Sequence, residues 1–221
     1  MIYCVKTIVG FAMLKKSEIH ELIRLLEECY PEPVCALEYG KDYEFLFAAR
    51  LSAQCTDARV NLVTPVLYKR YPTLESLAGA ELSELENIIH SCGFFRAKAR
   101  DITAAAAMLL SEFQGRVPDT MEDLLRLPGV GRKTANLMLG DIHNKPAVVV
   151  DTHCIRLSNR IGLVKTREPE KIETALRKIL PPELSSDFCH RLVLHGRAVC
   201  SAGNPACGGC CIFGLCARVG V

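Results

Sequence analysis

Leu127-Pro128-Gly129-Val130-Gly131-Arg132-Lys133-Thr134-Ala135-Asn136 joins two stretches of helical periodicity. Gly129 and Gly131 permit a tight turn with positive φ and put no side chain over the backbone. The uncovered amides, with those at the start of the following helix, form a neutral anion site. A hairpin of this kind can hold a nucleic-acid backbone without reading bases. The plain alternative is a glycine-rich turn between packed helices. A bare Gly-x-Gly would say no more than that; the surrounding Leu-Pro-Gly-x-Gly-Arg-Lys-Thr-Ala context says more.

Outward from the hairpin the pattern stays helical. Between Ser17 and Cys29, Ile19, Leu22, Ile23 and Leu26 recur at helical spacing beside His20, Glu21, Glu27 and Glu28. Pro31 and Pro33 end that helix. Tyr43 to Ser52 reads as a buried helix, Arg59 to Tyr71 and Ala80 to Cys92 as amphipathic ones, and Ala99 to Phe113 as rich in alanine and leucine. Thr120 to Asp123 has the form of a capping box. Ala147 to Val150 is apolar but too brief to imply a sheet. The fold class is all-α.

The chain has 221 residues, 49% hydrophobic and 24% charged, which is a folded, globular composition. A net charge of +2 does not by itself announce a nucleic-acid binder, so any basic surface is local. No segment qualifies as a membrane span, and Met1 to Leu14 lacks the basic start and cleavage site of a secretory signal. A cytoplasmic setting follows, in which the twelve cysteines point to metal before disulfides. Met13-Leu14-Lys15-Lys16 looks like a more usual start, which would make residues 1–12 an extension.

Two residues carry candidate chemistry. Lys133 falls in the first turn of the helix after the hairpin, where the dipole disfavours a cation. A neutral amine can attack carbon; equally, Lys133 could only touch phosphate. Asp151 follows the buried run Val148-Val149-Val150 and precedes a helix from Cys154 to Ile161. Its plain reading is an N-cap. A functional reading makes it a carboxylate that takes a proton or stabilises a cationic transition state. Both hold if one oxygen caps and the other faces solvent.

Cys200, Cys207, Cys210 and Cys216 stand in a C-x6-C-x2-C-x5-C spacing, close enough in sequence to surround one metal centre. Zinc and iron both fit four thiolates. Cys211 falls outside the pattern and reads as a free thiol; Cys4, Cys29, Cys35, Cys55, Cys92, Cys154 and Cys189 read as small packed residues.

The hairpin, the Val149-Val150-Asp151-Thr152-His153 stretch and the terminal cysteines together resemble the endonuclease III family, from about Leu14 onward and in that family's order. The resemblance implies two helical domains with DNA in the cleft between them. One is a six-helix barrel over 35–146 with a helix-hairpin-helix at 120–140. The other is discontinuous, 14–34 with 147–221, and holds a [4Fe-4S] cluster on the four cysteines. It implies a bifunctional DNA glycosylase/AP lyase of base excision repair: Lys133 attacks C1′ of a flipped, oxidised pyrimidine nucleotide, Asp151 assists, and β-elimination cuts the strand 3′ to the lesion.

Further positions follow from the same resemblance. Within Leu51 to Asp57, Gln54 fills the gap left by the flipped base, and Asp57 caps a helix beside the pocket. Within Gly93 to Lys98, Phe94 wedges into the duplex. Gly129, Gly131 and Arg132 hold backbone, and His153 lines the Gln54 region. Plain readings stand beside these: Gln54 as a satisfied buried amide, Phe94 as a core aromatic. Arg96 and Arg100 share one helical face, for phosphate or for solvent. The family's adenine-specific relatives lack a lysine at the Lys133 position, which sets them aside. One departure is the uncharged loop Ser201 to Ala206, where the family places basic residues; Arg191, Arg197 and Arg218 are the candidates to compensate. The expected partner is double-stranded DNA with a damaged pyrimidine or an abasic site, met by a cytoplasmic, nucleoid-associated monomer with no membrane. The rival from another class is a non-catalytic helix-hairpin-helix module stapled by metal.

Overall fold

The computed structural model describes residues 14–221, and every regular element among them is a helix. The chain separates into two compact units, Cys35–Ala147 and 14–34 together with Val148–Val221. The expectations for residues 1–12 and for Cys4 lie outside the described residues.

In the Cys35–Ala147 unit, α2 (Asp42–Leu51) buries Phe45, Leu46, Phe47 and Ala48 in succession, so it is enclosed on nearly every side. Its start is fixed by Glu44, whose carboxylate accepts from the Gly40 and Lys41 amides at 2.8 and 3.1 Å. The helix α3 (Asp57–Arg70) is capped by Thr56, whose hydroxyl accepts from Arg59 N at 3.3 Å. This corrects the expected cap at Asp57: Thr56 has the extended backbone a cap needs, and Asp57 already lies in the first turn.

Next come α4 (Leu74–Ala78) and α5 (Leu82–Ile89). The expected helix to Cys92 tightens into a 3₁₀ turn over His90–Cys92. The long helix α6 (Phe95–Phe113) starts four residues earlier than its alanine-rich pattern suggests. Its buried stripe is Ala99, Ile102, Ala106 and Leu109. The hairpin lies between α7 (Met121–Arg126) and α8 (Arg132–Leu137), and α8 runs on into a π turn at Met138–Ile142.

In the other unit, α1 (Lys16–Cys29) buries Ile19, Leu22, Ile23 and Leu26, the face its spacing predicts. It packs, as does α9 (Thr152–Ile161), on α11 (Ser185–Ala198); α10 (Pro169–Ile179) packs on α9. A side chain at Gly196 would overlap the His153 ring and come within 2.9 Å of Arg156 Nη2, so glycine is what allows α11 to approach α9. Beyond α11 the chain is irregular apart from a 3₁₀ turn at Cys207–Gly209, and Ile212 is its one buried apolar residue.

Candidate functional site

The hairpin closes on one hydrogen bond, Val130 N to Leu127 O at 3.1 Å. Gly129 has φ +74° and sits on an ion pair: Arg50 Nε and Nη2 donate to Asp101 Oδ2 at 2.8 and 2.6 Å. A Cβ on Gly129 would lie 2.6 Å from Arg50 Nε and 2.8 Å from Asp101 Oδ2. The turn is thus docked on a bridge between α2 and α6. Gly131 departs from the expectation of positive φ. It is extended at −103°, caps α8 without a side chain, and would have nothing within 4 Å of an added Cβ. An added side chain there would meet open space, so only Gly129 is required by the turn. Gly129→Ala combines left-handed strain with disruption of the ion pair, about 2–4 kcal/mol. A fall in melting temperature of roughly 5–12 °C is expected, and an unchanged melt would mean the hairpin does not need this seat.

Arg132 and Lys133 are exposed at the first two positions of α8. Burial pushes the nearby Cys35 thiol up to about 11; Asp141 and Asp57 add to the rise and Lys133 opposes it. The Cys35 thiol therefore lies within electrostatic reach of Lys133 and of two carboxylates of the same unit. Asp151 caps α9, its Oδ1 accepting from Cys154 N at 2.7 Å, while the residue stays half-buried. His153, in the first turn, has Nδ1 3.1 Å from Arg156 Nη2 and packs at Gly196. The start of α9 is therefore held in one geometry.

Gln54 and Phe94 are both exposed, Phe94 at 66%. Neither is the buried residue of the plain reading. Both have left-handed backbones, with φ 55° for Gln54 and 47° for Phe94. For non-glycine residues this costs on the order of 1–3 kcal/mol each and persists only where the surroundings impose it. Beneath both stretches lies Lys98, fully buried, whose Nζ donates to Leu51 O, Ala53 O and Cys92 O, each at 2.8 Å. Burial pulls the Lys98 pKa down, yet only the ammonium has three donors for three carbonyls. Leu51 ends α2, so the cation also faces the negative end of that helix. Arg96 lies over the Phe95 ring and is exposed with Arg100.

Cys200, Cys207, Cys210 and Cys216 are unpaired, half-buried and line one cavity with Leu157 and Ile212. Among the described residues no three His, Cys, Asp or Glu side chains converge as for a single metal ion. Two buried side chains reach the sulfurs. Arg160 Nη1 points at Cys200 Sγ at 3.3 Å, and His195 Nε2 lies 3.4 Å from Cys210 Sγ. Tyr30 Oη, 3.0 Å from His195 Nδ1, holds the far side of that ring. Arg160 also donates to Ser201 O and Ala202 O at 2.6 and 2.8 Å, and Arg156 to Cys200 O at 3.0 Å. The uncharged loop is thus pinned from α9. Burial raises the free thiols of Cys210 and Cys216.

The HhH-GPD superfamily of base excision DNA repair proteins matches residues 47–182. Endonuclease III of Synechocystis sp. is 47% identical over 91% of this chain and 93% of its own. That of Escherichia coli K12 is 36% identical over 92% and 96%. A solved structure of a trapped endonuclease III–DNA covalent intermediate superposes with a TM-score of 0.88 at 40% identity, over 93% of this chain and 97% of the other. The chain belongs to the endonuclease III family. It is a DNA glycosylase/AP lyase of base excision repair.

Within this member of the family, sequence reading passed over Lys98, Arg160 and His195. Lys98 closes the Gly93–Lys98 stretch with no mark of its own in the sequence, and its acceptors come from residues 51, 53 and 92. Arg191 needs a correction: it is 5% exposed, donates to Tyr30 O at 3.2 Å and pairs with Glu27 at 3.4 Å, so it anchors α1 and is not available to phosphate. Arg218 lies over the Phe213 ring. Arg197 remains exposed. No helix among the described residues is long and apolar enough to cross a membrane.

Proposed function

We propose that this enzyme removes oxidised pyrimidines and cuts the resulting abasic site with Lys133 as nucleophile and Asp151 as the assisting carboxylate. The observation that carries the reading is an exposed lysine at the second position of α8, directly behind a hairpin whose Gly131 opens onto free space. The amine attacks C1′ as the base departs with the C1′–N bonding electrons. Asp151 takes the proton that nitrogen sheds, and its capping bond from Cys154 N holds it still as it does so. Opening of the sugar ring leaves an imine between C1′ and Nζ. Loss of a C2′ proton then expels the 3′ phosphate, cutting the strand on that side.

In the same reading Gly129, Gly131 and Arg132 hold backbone phosphate. Gln54 fills the space of the extruded nucleotide, Phe94 parts the neighbouring bases, and His153 lines the region around them. The four cysteines hold a [4Fe-4S] cluster. Arg160 and His195 suit thiolate ligands, because N–H donors to sulfur stabilise the charged form. The cluster supplies cross-links for a segment with little core of its own; the sugar chemistry needs no electron transfer. The protein acts as a cytoplasmic, nucleoid-associated monomer on duplex DNA.

Borohydride reduction during turnover tests the reading. Wild-type protein is expected to give a covalent adduct on duplexes carrying thymine glycol or an abasic site. Asp151→Asn keeps an oxygen for the cap and loses the base, so cleavage is expected to slow about 10²-fold with the fold intact. Absence of any adduct with wild type would overturn the lyase chemistry, and full activity in Asp151→Asn would overturn the carboxylate's role.

A further inference from the structure

Two loops that the proposed function assigns to the duplex are tied to one buried atom. The Gln54 loop leaves α2 through Leu51 and Ala53, and the Phe94 loop leaves the 3₁₀ turn at Cys92. All three carbonyls accept from Lys98 Nζ at 2.8 Å. Burial pushes the Cys92 thiol up to about 11, and the neighbouring Cys55, next to Gln54, adds to the rise. Gln54 directly follows the tied Ala53, and Phe94 lies two residues past the tied Cys92, beyond Gly93 at φ 69°; both side chains are exposed on left-handed backbones.

We infer that Lys98 is the positioning residue that joins the Gln54 and Phe94 loops into one rigid probe, so that both side chains enter the duplex together. This rests on the proposed role of those loops. The argument is geometric. An ammonium has three donors, and each is spent on a backbone carbonyl at a place where the loop could otherwise swing. Among the described residues no carboxylate shares the cation, and its three donors go to backbone. A lysine whose task was only to fill core would not need three polar partners, and an apolar residue would fill the volume without the cost of burying a charge.

Lys98 touches neither DNA nor the reacting atoms, so its removal is expected to show only where a base stack must be opened. The test compares strand cleavage at an abasic site in a duplex and at one in a single strand, where nothing needs parting. Lys98→Met keeps the length and drops the donors; Lys98→Gln keeps two donors on a shorter stem. Each is expected to lower the duplex-to-single-strand rate ratio at least tenfold. Phe94→Ala is expected to lower it similarly, and Phe94→Ala combined with Lys98→Met to go no lower than the worse single variant. An unchanged ratio, equal losses on both substrates, or effects that multiply in the double variant would overturn the inference. Failure of both Lys98 variants to fold would overturn it too, by making Lys98 a residue of the core alone. If the proposed function itself fails, wild-type protein cleaves neither substrate, a different result from any of these.

Discussion

Lys133→Ala is expected to leave no borohydride-trapped adduct on abasic DNA and to lower strand cleavage at least about 10³-fold, because no other group replaces the amine that bonds to C1′. The side chain is exposed and outside the core, so the melting temperature is expected to hold within about 2 °C. The rival role, a phosphate contact, makes a different forecast. Loss of one such contact weakens binding and reduces the salt slope by about one. Trapping would then return at saturating enzyme. Single-turnover measurements with excess protein separate the two. An adduct at the wild-type level in that regime means the nucleophile lies elsewhere.

The fold was legible where information is local. The stripe Ile19, Leu22, Ile23 and Leu26 predicts the buried face of α1 because a helix returns to one side every three or four residues. Asp151 caps α9 because a short carboxylate reaches the amide three residues on without help from elsewhere. Gly129 was legible as a turn residue, but not the ion pair beneath it, since Arg50 and Asp101 are far apart in the chain and from the hairpin.

The candidate site was less legible for the same reason. Phe94 and Phe95 are adjacent aromatics with no period to say which faces solvent; the left-handed backbone at Phe94 decides it. Nothing near Lys98 in sequence marks it as buried, because two of the carbonyls that make burial tolerable, Leu51 O and Ala53 O, lie far earlier in the chain. Arg160 and His195 belong to helices with ordinary amphipathic patterns, and only the return of the cysteine segment gives them sulfur partners. Spacing found the four cysteines. It did not find what orients them.

Cys207→Ser is expected to abolish iron binding and visible absorbance and to lower the melting temperature by at least about 10 °C. The reason is a mismatch of magnitudes in the segment after α11. Ordering each residue costs about 1–2 kcal/mol. Ile212 is the only buried apolar side chain there, and its burial returns about 1.5–3 kcal/mol. Hydrogen bonds from Arg156 and Arg160 add about 1–3 kcal/mol each at most, and they meet only Cys200, Ser201 and Ala202. Near the C-terminus Ala217 N and Val219 N return to Ile161 O and Arg160 O at 3.0 and 3.1 Å, so the stretch between Cys207 and Cys216 is the part with least support of its own, and four thiolates on one metal centre have the strength to hold it. A centre of that kind also removes the protons that burial otherwise keeps on Cys210 and Cys216. Cys211→Ser is the control: it changes a thiol next to Cys210 but outside the ligand spacing, and iron and colour are expected to remain. Elemental analysis and the visible spectrum decide the matter. Zinc in place of iron would overturn the cluster, and wild-type iron in Cys207→Ser would remove that cysteine from the ligand set.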